Sequence, residues 1–264
     1  METLGDHNLV ELYGCDPNIL SNRDSVESIV LEGGKVINVT PIFHRFEKTE
    51  EGVSGAEVIA ESHISAHTSS PIKYVNLDIY TCGKGLNVEG GINFYFDAFK
   101  AKHAEKTYLG RGFLPTPGQE RLDNLIQREL ISRYDVKKVG TLSKHIIADF
   151  YLCNPEKISH EKTVAPAMFR AARTAEPEGF PYDKILVNQF HNFKPHGTSG
   201  LILGANKHLT IHTWPEHDYA SVDMLLSKDN DSWTDAVLYL KERFDSKNVI
   251  IKPFGRGNPE YLKY

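Results

Sequence analysis

Apolar and polar positions along the first part of the chain follow two rhythms. In DPNILSNRDSVESIVLEGG, residues 16–34, apolar residues recur at helical spacing behind an Asp-Pro start, and a glycine pair closes the run. VINVTPIF, GAEVIAES and YVNLDIYTC are short β-branched or alternating runs of strand type. GGINFYFDAFKAKHA reads as a helix, and KTYLGRGF as a last strand. The order βα, β, β, α, β predicts one antiparallel sheet with helices on one face.

The pattern then repeats. HNLVELYGCDP from His7 returns as HIIADFYLCNP from His145, and FHRF at Phe43–Phe46 as FHNF at Phe190–Phe193. GVSG ending at Gly55 returns as GTSG ending at Gly200. From there a constant offset of 145 joins His63 to His208, His67 to His212, Thr68 to Thr213, Asp78 to Asp223, and GRG at 110–112 to GRG at 255–257. Five collinear blocks are a duplication, and the small changes of offset between them are loop insertions. Residues 1–114 form one half and 141–264 the other. The linker between them, 115–140, opens on turn residues and continues as a polar, helix-like stretch. HEKTVAPAMFRAARTAEPEGFPYD in the second half reads as an insertion forming a surface helix and loop. Two half-covered sheets can stack, so the expected class is α+β: a four-layer α/β/β/α sandwich from two tandem homologous halves, helices outermost.

Composition narrows the function classes. The 264 residues are 40% hydrophobic and 25% charged, as in a soluble globular protein. No apolar run is long enough to cross a bilayer, and METLGDHNLVELYG lacks a basic segment leading into an apolar one, so the cytoplasm is expected and a membrane is not. Cys15, Cys82 and Cys153 are too few for a disulfide framework and are expected as reduced thiols. A net charge of -5 gives no basic footprint for nucleic acid.

Candidate chemistry lies where the halves differ. Ser62, at a strand end beside Glu61, is echoed by Lys207; Cys82, followed by glycine, is echoed by Ser227; and Glu216 in HTWPE is echoed by Pro71. These complementary losses leave one site assembled from both halves. His63/His67 and His208/His212 are spaced by four; on an extended strand that puts the rings about 13 Å apart, too far to share a metal ion. No cysteine or acid cluster has ligand spacing either, so no metal is expected. Ser62 and His67 on one strand would be about 16 Å apart and on opposite faces. A base for Ser62 must then come across a pseudo-two-fold axis from the other half, which nominates His212.

LYGCDP, GVSGAEVIAESHISAHT, IYTCG and HTWPE together resemble the S-adenosylmethionine decarboxylases, pyruvoyl-dependent enzymes of polyamine (spermidine) synthesis. The whole chain is similar to two short bacterial-type protomers fused in tandem. The resemblance implies autocatalytic cleavage of a zymogen between Glu61 and Ser62: the hydroxyl attacks the preceding carbonyl, and β-elimination leaves a pyruvoyl group at residue 62. It implies His212 as base, Ser199 of GTSG as its assistant, and Cys82 as proton donor in turnover, a thiol titrating near neutral pH. The pyruvoyl carbonyl would form a Schiff base with S-adenosylmethionine, with no metal and no pyridoxal phosphate. Glu216 would bind the ribose and Phe193 would stack on the adenine; the second adenine-stacking aromatic of relatives finds only Leu9 and Val10 here. His67, catalytic by a match to the short form, belongs to the dead site with Lys207 and Ser227 and ranks below His212. Fusion removes the obligation to dimerise, leaving a monomer or a homodimer of the fused chain. Two rival readings are a pyruvoyl-dependent decarboxylase of ornithine or arginine, and a non-catalytic activating paralogue.

Overall fold

The structure, a computed structural model, describes residues 2–114, 141–176, 180, 185–195, 197–227, 229 and 231–263. The expected linker, 115–140, lies outside the described residues. The first half contains β1 (Glu2–Tyr13), α1 (Pro17–Leu20), α2 (Arg23–Ile37), β2 (Pro41–Lys48), β3 (Val53–Ile59), β4 (Ser62–Ser69), β5 (Tyr74–Thr81), α3 (Val88–Ala98) and β6 (His103–Leu114). The second repeats it as β7 (Ser143–Tyr151), α4 (Pro155–Ile158), α5 (Glu161–Ala175), β8 (Val187–Asn192), β9 (Thr198–Gly204), β10 (Lys207–Trp214), β11 (Tyr219–Ser227), α6 (Trp233–Arg243) and β12 (Asn248–Arg256). Each half forms a six-stranded antiparallel sheet, ordered β2-β3-β4-β5-β1-β6 in one and β8-β9-β10-β11-β7-β12 in the other. The two orders are the same, and the expected sandwich of two halves is the observed fold.

Strand alternation places an apolar face outward, under the helices. Val10, Leu12, Ile64, Ala66, Leu77 and Ile79 meet α2 and α3 residues such as Val26, Val30 and Tyr95 in one core. Ile146, Ala148, Val222, Met224, Leu209 and Ile211 meet Met168, Ala171, Val237 and Leu240 in the other. The remaining face of each sheet is turned to its partner. Small apolar clusters, Ala56, Val58, Leu201 and Leu203 at one place and Leu9, Leu109 and Ile147 at another, flank a polar middle.

That middle is built on two arginines. Arg111 Nε donates to Asp149 Oδ1 at 2.8 Å, and its Nη1 donates across the sheets to Asp223 Oδ1 at 2.6 Å. Arg256 mirrors it, donating from Nε to Glu11 and from Nη1 to Asp78 Oδ1 at 2.6 Å. Tyr219 and Tyr74 donate to Asp149 and Glu11 in turn. Both guanidiniums are fully buried, where an unpaired charge costs several kcal/mol.

Four sequence readings change. Each sheet has six strands where the predicted order has four, in part because β4 is a strand of its own: GAEVIAES crosses the turn at Ala60–Glu61. The Gly33–Gly34 pair lies inside α2, which runs on to Ile37 and is closed by Asn38 at φ 70°. A Cβ on Gly33 would come within 2.0 Å of the Tyr95 ring, so the glycine admits a close helix neighbour rather than ending the helix. The supposed insertion contains α5, which buries Val164, Ala167, Met168, Ala171, Ala172 and Ala175 and packs on α6 as α2 packs on α3; it is the counterpart of α2, not a surface addition. Finally, Phe46 pairs with Gly55 and Phe190 with Gly200, so Phe46 corresponds to Phe190. The FHRF/FHNF match was slipped by three residues, because Phe recurs at that spacing within each motif.

Replacing Arg111 by Met strands Asp149 and Asp223 without their buried cation. The loss of unfolding free energy in urea is expected to be about 3–5 kcal/mol, against under about 1 kcal/mol for the exposed Lys35→Met.

Candidate active site

Ser62 opens β4 immediately after the β3–β4 turn, paired with Ile59 on one side and Thr81 on the other. Its φ of 141° is a conformation that side-chain-bearing residues rarely adopt, worth about 1–3 kcal/mol of strain. The ladder on both sides holds it there. The carbonyl before it, that of Glu61, accepts the Cys82 N–H at 2.8 Å, a donor aimed at the oxygen that would carry charge if the carbonyl were attacked. The Glu61 carboxylate is turned elsewhere, accepting from Thr40 N–H at 3.0 Å and Thr40 Oγ1 at 2.9 Å.

Across the sheet interface, β9 and β10 pair Ser199 with His212 in register, and Ser199 Oγ lies 2.7 Å from His212 Nδ1. β10 then ends in a tight turn, Pro215–His217, that carries Glu216. Phe193 lies just past the end of β8, where its N–H donates to Gly197 O at 2.9 Å. A cavity of about 410 Å³ is lined by Ser62 and Cys82 from the first half and by Phe193, Ser199, His212, Trp214 and Glu216 from the second. Six of the eight residues named from sequence thus share one cavity. Glu61 contributes its carbonyl beside it. His67 lines a different one.

That second cavity, about 290 Å³, is the pseudo-symmetric counterpart of the first, lined by His67, Ser69, Lys207 and Ser227. The Lys207 amine sits 2.6 Å from Glu176, to which Ser227 Oγ also donates at 2.5 Å. An ammonium–carboxylate pair therefore stands where the other half has Ser62 and Cys82.

Sequence spacing missed Trp214, although it lies inside the HTWPE motif. It is the second aromatic on the cavity, in place of Leu9, which packs between the sheets with Leu109 and Ile147, and of Val10, which belongs to the outer core. It also missed the depth of the histidine cluster, because the ligand-type residues come from different halves. His7, His145 and Asp223, and likewise Asp78, His145 and His208, bring ligand atoms within 4.8 Å of one another. Both sets are already committed to arginine. Guanidinium nitrogens can only donate, so His7 Nδ1, 3.2 Å from Arg111 Nη1, and His145 Nδ1, 2.8 Å from Arg256 Nη1, must accept. Their protons then sit on Nε2, which leaves no lone pair for a metal.

Burial sets the charge states. Loss of water pushes His63 down to about 4 and His145 and His208 to about 3, and drives His67 and His212 well below the ordinary 6.5, with His63 adding to the effect on His212. His212 is thus a neutral imidazole, as a base requires. Burial works to raise Asp78 and Asp223, and the guanidiniums of Arg256 and Arg111 overcome it, holding both carboxylates below their usual range. Cys82 has an exposed edge at the cavity, yet desolvation by the walls and the Glu61 carboxylate raise its thiol. The expectation of a thiol titrating near neutrality is corrected: it stays protonated at pH 7, the form a proton donor needs.

The sequence profile of the S-adenosylmethionine decarboxylase family matches residues 6–112 and again 144–257. The chain belongs to that family. Its S-adenosylmethionine decarboxylase relatives are about half as long. The proenzyme of Thermococcus kodakarensis is 44% identical over 115 residues, 42% of this chain and 79% of its own. That of Acetivibrio thermocellus is 41% identical over 122 residues, covering 44% of this chain and 95% of its own. A crystal structure of the adenosylmethionine decarboxylase from Aquifex aeolicus matches at 30% identity and a TM-score of 0.39, covering 44% of this chain and 92% of that one. Among the described residues of this family member, no helix is long and apolar enough to cross a membrane.

Five rings held neutral make the fold acid-sensitive. Their folded values lie below 6.5, so the unfolded chain binds protons that the folded chain refuses. Stability is complete above about pH 6.5 and falls below it, by about 1.4 kcal/mol per pH unit for each ring. The carboxylates Asp78 and Asp223 lose their own contribution only at lower pH, below their unfolded value of 3.8. The melting temperature is expected to drop steeply between pH 7 and pH 5; a flat profile there would show that the rings take up protons in the fold as readily as in the unfolded chain.

Proposed function

We propose that the chain is a self-processing S-adenosylmethionine decarboxylase with one active site per chain, built by both halves. The observation that carries this reading is the meeting, on one cavity, of a strained Ser62 with Cys82 from its own half and Ser199, His212 and Glu216 from the other. The halves 1–114 and 141–264, joined through 115–140, belong to the same proposal.

In self-processing, Ser62 Oγ adds to the Glu61 carbonyl, whose oxygen the Cys82 N–H steadies. The C–N bond breaks as the ester forms, which releases the backbone strain at residue 62. His212, neutral and held by Ser199, takes the Ser62 α-proton as the Cβ–Oγ bond breaks and the main-chain carboxylate of Glu61 leaves as a new C-terminus. Hydrolysis of the resulting enamine nitrogen with one water gives ammonia and a pyruvoyl group. When formed, that group supplies a carbonyl able to condense with a substrate amine and draw electrons from a departing carboxylate, with no metal or pyridoxal phosphate. Around it, Cys82 offers a protonated thiol, Glu216 an acceptor for vicinal hydroxyls, and Phe193 and Trp214 aromatic faces for a base and a sulfonium cation. Those last three residues favour S-adenosylmethionine over ornithine or arginine, which bring no ribose or nucleobase. Decarboxylated S-adenosylmethionine, the product, is an aminopropyl donor for spermidine synthesis. Three free thiols suit a cytoplasmic setting.

Intact mass of the purified protein is expected to show fragments 1–61 and 62–264, with ammonia lost from the second. Ser62→Ala is expected to stay whole and inactive; cleavage of that variant at the same bond removes the proposal, and a wild-type chain that stays uncut supports a non-catalytic partner instead.

Cys82→Ala is expected to cleave but to turn over at least about 10²-fold more slowly. Glu216→Ala is expected to raise KM for S-adenosylmethionine about 10- to 100-fold with kcat little changed, from loss of charge-assisted bonds to the ribose. An unchanged KM, with release of labelled CO2 from ornithine or arginine, would move the assignment to a plain amino acid.

A further inference from the structure

Next to Ser62 on β4 stands His63, a buried imidazole that the reaction above does not use. Its Nδ1 lies 2.9 Å from His212 Nε2 across the sheet interface, with the two rings nearly parallel at 8°. The other nitrogen of His212 is the one beside Ser199. Both nitrogens of the base are therefore engaged, and which of them carries the proton decides whether it can act as a base at all.

We infer that His63 is the positioning residue for His212, accepting a hydrogen bond from His212 Nε2–H so that the Nδ1 lone pair faces Ser199 and the cavity. The inference rests on the reading of His212 as the base. A neutral imidazole carries one proton. Nδ1 can take another only if Nε2 already holds its own, and that N–H, away from water, needs an acceptor. His63 Nδ1 is the atom within reach. The opposite arrangement, with hydrogen on both Nδ1 atoms, turns the base off. In the working arrangement the His63 proton sits on Nε2, which has no conventional partner among the described residues. The rings of His7, Tyr80 and His208 stand around His63 at 69–88° to it, centroids 6.1–6.2 Å away, the edge-to-face setting in which a ring N–H meets a π face. The constellation Ser199–His212–His63 has the logic of hydroxyl, base and orienter, with an uncharged imidazole as the third member.

The duplication supplies a control. His208 makes the same bond, Nδ1 to His67 Nε2 at 2.8 Å, in the half whose cavity holds Lys207 and Ser227. Loss of either bond removes a buried cross-sheet contact, but only the loss at His63 touches the base.

The test is the time course of self-cleavage of freshly synthesised full chain, followed by denaturing electrophoresis, with thermal melts alongside. His63→Leu is expected to cleave about 10- to 100-fold more slowly than wild type. His63→Asn, whose Oδ1 can take the place of Nδ1, is expected to recover to within about tenfold of wild type. His208→Leu is expected to lose similar thermal stability and cleave at the wild-type rate. Equal rates for His63→Leu and His208→Leu overturn the inference. If His63→Leu fails to fold, imidazole ¹⁵N NMR on the uncleaved Ser62→Ala chain decides: hydrogen on His212 Nε2 is expected, and hydrogen on Nδ1 overturns it. A wild-type chain that never cleaves, or a Ser62→Ala chain that does, sinks the proposed function itself rather than this assignment.

Discussion

Arg111 and Arg256, each reaching from its own sheet to an aspartate of the other, hold the molecule together at its centre. A buried guanidinium is tolerable only with its carboxylates in place, and here both carboxylates of each arginine belong to the opposite half. Neither sheet can bury its polar face alone. The two halves therefore dock in one register, related by the pseudo-two-fold axis that the matching strand orders define. Everything chemical in the molecule follows from that register, since it places β4 of one half opposite β9 and β10 of the other.

On this symmetric frame the two ends of the interface have diverged. At one, a strained serine, a protonated thiol and a neutral histidine share a cavity with a carboxylate and two aromatic rings. At the other, Lys207, Glu176 and Ser227 satisfy each other, and the histidine keeps its hydrogen bonds without a serine to serve. The same burial that forbids charge on the imidazoles makes them usable as bases and makes the fold sensitive to acid. Stability and reactivity are set here by one cause, the exclusion of water from a polar interface.

Part of the candidate site was legible because duplication makes a sequence its own comparison. Ser62 against Lys207, Cys82 against Ser227 and Glu216 against Pro71 can be set side by side without a structure, and their complementary losses point to a site drawn from both halves. Trp214 stands in HTWPE but carries no signal of its own, since one aromatic at a strand end reads as core. His63 was visible only as half of a spacing that failed for metal. Nothing local says that its ring meets His212, some 150 residues on.

The amino-acid sequence by itself determined the tandem repeat, the alternation that gives each strand one apolar face, and the residue types available for chemistry, because these are properties of neighbours along the chain. Tertiary structure alone decided which face meets what. Gly33 reads as a stop until Tyr95 is seen lying against it, and α5 reads as an insertion until its alanines are found on the sheet. The motif slip that set Phe46 against Phe193 was resolved only by the strand register, which pairs Phe46 and Phe190 with equivalent glycines. The φ of Ser62, the proton states of the histidines and the pairing of the arginines depend on desolvation and on partners distant in sequence, and neither is encoded in any local pattern.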